Sequence, residues 1–99
     1  MKYKVGSVQI NNGFSGQYYL PFSIGLLIGY FREHSKERDR FSFSLPLYKR
    51  LPLKTCIEHL KDSDIVLFST YVWNEKISLT IASYLKKLNP KVLVIFGGP

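Results

Sequence analysis

The chain has 99 residues, and its 14 Lys and Arg against 7 Asp and Glu give a formal net charge of +7. Apolar residues at 45% and aromatics at 15% exclude a disordered polypeptide. They allow one core that buries roughly 65% of the unfolded surface. A single cysteine, Cys56, excludes a disulfide framework, a structural zinc cluster or an iron–sulfur cluster held by this chain alone, and fits a reducing compartment.

The basic residues are scattered from Lys2 to Lys91 with no single stripe, which argues against a nucleic-acid partner and for a solvated basic surface. Arg32 to Arg40 mixes bases with acids and reads as an exposed helix end and loop. The apolar run from Leu20 to Phe31 falls short of the ~20 residues that span a bilayer. It also lies too deep, without a basic head, for a signal peptide. The expectation is a soluble cytoplasmic protein without a membrane span.

Tyr3 to Ile10 reads as a first strand leading into a loop rich in Asn and Gly. Pro21 suits a first helical turn, and the helix after it is apolar nearly all round. Phe41, Phe43, Leu45 and Leu47 alternate with polar residues and Pro46, which predicts a strand at a sheet edge. From Pro52, Leu53, Cys56, Ile57 and Leu60 form one helical stripe, so Cys56 is read as core and His59 as surface; His34 is likewise read as surface. Asp64 opens a buried strand, Ile65 to Phe68. Asn74 is placed as the cap of a third helix with a stripe of Ile77, Ile81, Tyr84, Leu85 and Leu88. Lys91 to Phe96 forms a last apolar strand, stopped by Gly97-Gly98-Pro99.

This alternation predicts an α/β chain, a three-layer, Rossmann-like, doubly wound parallel sheet of flavodoxin-like strand order 2-1-3-4. The last strand has the hydrophobicity of an interior strand but no cover for its free edge. Residues 1–99 are therefore expected to be the front part of a longer domain; pairing of that edge with another chain is the alternative.

In such a sheet, ligands sit over the carboxyl ends of the strands. Those ends are the loop Asn11 to Tyr19, the run Ser69-Thr70-Tyr71-Val72-Trp73-Asn74, and Gly97-Gly98-Pro99. The loop is longer than a usual βα connection, and hydroxyls beside flat aromatics suit a large, partly apolar ligand with a few polar handles. No dinucleotide or phosphate-binding glycine motif is present, and no catalytic triad or carboxylate pair is assembled. The chain alone reads as a binder, with no catalytic residue.

Three segments resemble the N-terminal cobalamin-binding domain of cobalamin-dependent radical SAM enzymes. Tyr19-Leu20-Pro21-Phe22-Ser23-Ile24-Gly25-Leu26-Leu27 is similar to that family's LPxSIGxLA helix start, Ser69 to Asn74 to its loop after the third strand, and Val92 to Pro99 to its VxxGGP strand. In the wider cobalamin-binding pattern of DxHxxG, SxL and GG, Ser69 and Tyr71 take the SxL positions and Gly25 the last Gly of DxHxxG. The Asp position is then Leu20 and the His position Phe22, which cannot ligate cobalt.

The resemblance implies cobalamin as cofactor, held base-off with no His ligand and no metal ligand from this chain. It implies cofactor contacts from Phe22, Gly25, Ser69, Thr70, Tyr71, Trp73, Asn74, Gly97 and Gly98. Ser69 and Thr70 would meet the nucleotide tail, the two glycines would let the backbone pass close to it, and Phe22 and the first loop would face the corrin. A radical SAM domain with an iron–sulfur cluster and S-adenosylmethionine is implied only for the parent chain. Two other classes remain open on the residues: the front half of a sugar- or nucleotide-using transferase, and a regulatory protein-interaction module that docks through its last strand.

Overall fold

The structure, a computed structural model, describes residues 2–10, 22–70 and 74–97. Strand β1 (Tyr3–Val8) is followed by helix α1 (Phe22–His34), a 3-10 turn (Arg38–Arg40) and β2 (Phe41–Phe43). Then come α2 (Leu53–Leu60), β3 (Ile65–Ser69), α3 (Glu75–Leu88) and β4 (Leu93–Gly97). The four strands form one sheet in the order β2-β1-β3-β4, and every pair is parallel, as the alternation of elements requires.

Successive side chains on β1 point to opposite faces. Val8 and Ile10 join a core with Cys56 and Leu60 of α2, Val66 and Phe68 of β3, and Ile81, Ala82 and Leu85 of α3. The Phe68 ring stacks on Phe96 of β4 at 4.9 Å between centroids. The end of α2 and the turn after it come so close to β1 that a Cβ placed on Gly6 would lie 2.7 Å from Ser63 Oγ and 2.8 Å from Leu60 Cδ2. Val5, on the alternate face of β1, turns toward α1.

Helix α1 lies on that second face and is held mainly near its ends. Ile24 and Ile28 are buried, and Phe31 meets Phe41 and Phe43 edge-on at centroid distances of 5.4 and 5.5 Å. Between these anchors the helix stands off the sheet and leaves an apolar cavity of about 230 Å³ lined by Leu27, Ile28, Leu67 and Ile95 among others. Leu26, Leu27 and Tyr30 remain exposed, so only part of the apolar circumference of α1 is covered.

Three expectations are corrected in detail. The second strand does not run unbroken to Leu47. Its register with β1 pairs Tyr3 with Phe41 and Val5 with Phe43, but the later bridge pairs Val8 with Leu47, one residue out of step. Ser44 N–H donates to Val5 O and the next ladder bond runs from Leu47 N–H to Ser7 O. Pro46, which would have supplied that donor, has no N–H, so the chain bulges and Leu45 is thrown out to 81% exposure.

The stripe on α3 is rotated from the expected one. Ser78, Ile81, Ala82 and Leu85 are buried, while Tyr84 and Leu88 face outward. The buried face thus carries small residues at 78 and 82. The first strand also closes at Val8, although Gln9 N–H still donates to Leu47 O. Cys56 is core as expected, and His59 is at the surface with Nε2 2.9 Å from Leu45 O.

Candidate functional site

Where β3 and β4 end, Ser69 pairs with Gly97, and Thr70 N–H donates to Gly97 O at 2.7 Å. This is the carboxyl edge of a parallel sheet, next to the point where the chain direction switches between β1 and β3. The first turn of α1 overhangs it. Between them runs a groove of about 180 Å³ lined by Ile24, Leu27, Leu67, Phe68, Ser69, Ile95 and Gly97. It shares Leu27, Leu67 and Ile95 with the apolar cavity beneath α1, so a polar mouth leads into a greasy interior.

The mouth carries little charge and few hydrogen-bonding groups. Ser69 contributes a hydroxyl. Thr70, the next residue, has a buried Oγ1 without a hydrogen-bond partner among the described residues. Above Gly97 there is open space: a Cβ built there meets nothing within 4 Å. A ligand can lie against this backbone where any side chain would fill the gap.

The structure brings Ser69, Thr70 and Gly97 together beside the start of α1, to which Phe22 belongs as first residue. The Phe22 side chain, Tyr71, Trp73 and Gly98 lie outside the described residues, as does the loop from Asn11 to Tyr19. Gly25 faces the open outer side of α1 with Leu26, Gly29 and Tyr30, not the groove. Asn74 sits at the start of α3 without making the side-chain cap bond expected of it. It is fully buried, and its Nδ2 donates to Ile10 O at 2.9 Å and Ser69 O at 3.0 Å.

A second buried amide lies opposite. Gln9 Oε1 accepts the N–H of Ile24 at 3.0 Å. Sequence reading missed Gln9 because a polar residue at the end of a strand carries no periodic signal, and its partner is fifteen positions away.

No family model matches the chain. Two curated proteins are similar to it. Over 81 residues it is 30% identical to the cobalamin-dependent radical SAM methyltransferase TokK of Streptomyces tokunonensis. Over 81 residues it is 28% identical to the 2-(S-pantetheinyl)-carbapenam-3-carboxylate methyltransferase of Streptantibioticus cattleyicolor. The relationship is distant. Each match takes in 82% of this chain but 12% of the relative, so the chain spans about an eighth of the length of these proteins.

Among the described residues no cluster of His, Cys, Asp and Glu is placed to hold a metal ion. Nor is any helix there long and apolar enough to cross a membrane.

Proposed function

We propose that this chain is a cobalamin-binding module, the front part of a cobalamin-dependent radical SAM enzyme, and that it holds the cofactor base-off with no His ligand to cobalt. The observation that carries this reading is the groove mouth. Ser69 and the bare backbone of Gly97 meet there with an apolar interior behind them, and Thr70, whose buried hydroxyl has no partner among the described residues, follows directly on Ser69. These features fit a long ligand tail with a few polar atoms and one flat apolar end. The distant similarity to TokK supports the same cofactor.

In this reading Ser69 and Thr70 hydrogen-bond the nucleotide tail, and Gly97 with Gly98 lets the backbone run alongside it. Phe22 and the loop before it face the corrin, and Tyr71 and Trp73 supply flat apolar surface near the strand ends. Gly25 and Asn74 do not line the groove, so any part they take is indirect. Bound cobalamin supplies the cobalt-centred reactivity; the chain supplies shape, hydrogen bonds and exclusion of water. An iron–sulfur cluster, S-adenosylmethionine and methyl transfer belong, under the same proposal, to the parent protein.

Titration of the full-length protein with hydroxocobalamin, followed by desalting, tests the proposal. Corrin absorbance retained in proportion to protein, with the visible spectrum of a base-off form lacking a His ligand, is the expected result. The Phe22→His variant is expected to shift that spectrum toward a His-ligated form. Complete loss of corrin on desalting would contradict the proposal, and an unchanged spectrum in Phe22→His would remove Phe22 from beneath the metal.

A further inference from the structure

We infer that Gln9 and Asn74 are positioning residues that hold the two walls of the groove at a fixed separation. Two of the groove's lining residues, Ile24 on α1 and Ser69 on β3, are each held by a buried amide that does not itself line the groove. Gln9 Oε1 accepts from Ile24 N–H, and Asn74 Nδ2 donates to Ser69 O. Both bonds lead back to the two consecutive residues that follow β1, since Gln9 makes the first bond itself and Asn74 also donates to Ile10 O. One wall is thus tied to residue 9 and the other to residue 10.

The need for such ties follows from α1 itself. The first N–H groups of a helix have no partner within it, and Pro21, the residue before α1, offers no acceptor side chain. Gln9 takes over that role from the neighbouring strand. Farther along, α1 stands off the sheet over the apolar cavity until Phe31 meets Phe41 and Phe43. The Gln9 bond is therefore a polar anchor of α1 at the ligand end. Gln9 is 4% exposed and Asn74 is fully buried, so neither bond competes with bulk water.

The ligand in this inference is the cobalamin of the proposed function; the clamp exists without it. In the full-length protein, Gln9→Met, which removes the acceptor at similar volume, is expected to weaken hydroxocobalamin binding by about tenfold, with the far-ultraviolet circular dichroism unchanged. Gln9→Glu keeps an acceptor facing the helix N-terminus and is expected to restore affinity. Asn74→Ala is expected to weaken binding similarly. Affinities of Gln9→Met and Asn74→Ala equal to that of the unsubstituted protein would overturn the inference while leaving the cobalamin reading intact.

Amide exchange of the unsubstituted protein without ligand reads the clamp separately. Protection of the Ile24 N–H by about a hundredfold over an unstructured chain supports it, and free exchange there overturns it, whatever the protein does with corrin or the variants do on folding.

Discussion

Cys56 shows what burial does to one reactive group. It is fully buried, its thiol reaches Leu51 O at 3.6 Å, and burial pushes its pKa above the usual thiol value. The thiol is therefore expected to resist an aromatic disulfide reagent in the folded protein and to react fully on unfolding in urea. The folded chain holds this proton more tightly than the unfolded one. Its contribution to stability is thus complete below about pH 8.5, where an unfolded thiol titrates, and falls as the pH rises through the higher folded value. Urea midpoints measured from pH 7 to 10 should decline less steeply in Cys56→Ala; identical declines would contradict this account.

The sequence made Cys56 legible, because its stripe with Leu53, Ile57 and Leu60 is a local pattern. Asn74 was legible only in place. An Asn before a helix reads as a cap, whereas its amide is spent on the carbonyls of Ile10 and Ser69, the farther of them 64 positions away. Local spacing cannot distinguish those uses.

At the scale of elements, Gly6 marks a close approach of β1 to the end of α2 and the turn after it. Gly6→Ala would place a methyl group 2.7 Å from Ser63 Oγ and 2.8 Å from Leu60 Cδ2, so these two side chains must shift. The expected loss is about 1–2 kcal/mol in urea unfolding, the overpacking cost being partly offset by lower entropy of the unfolded chain. An unchanged midpoint would mean that α2 yields freely.

Existence and type of each element follow from periodicity, which is why all four strands and three helices were legible. Boundaries and faces were less so. Alternation from Phe41 to Leu47 concealed the bulge at Pro46, and only the β1 ladder reveals the missing donor. Tyr84 and Leu88 matched a helical stripe, yet the buried face is the neighbouring one, with its small residues Ser78 and Ala82.

Over the whole molecule, the strand order 2-1-3-4 was legible because helical crossovers force parallel pairing and right-handed turns limit the arrangements. The groove was legible in part. Ser69, Thr70 and Gly97 follow from the rule that parallel sheets bind at their carboxyl ends, but the gap beneath α1 depends on how far a helix stands from a sheet. On β4, Leu93, Ile95 and Phe96 are 52%, 46% and 43% exposed. This matches the uncovered edge expected of its apolar sequence.

Under the proposed function, the groove between the first turn of α1 and the ends of β3 and β4 receives the cofactor. Backbone amide chemical-shift mapping of the full-length protein with hydroxocobalamin tests it most directly. The account predicts that the largest shifts cluster at Ile24, Leu27, Ser69, Thr70 and Gly97 and leave Lys54 to Lys61 on α2 unmoved. Shifts centred on α2, or spread evenly over the chain without that cluster, would contradict it.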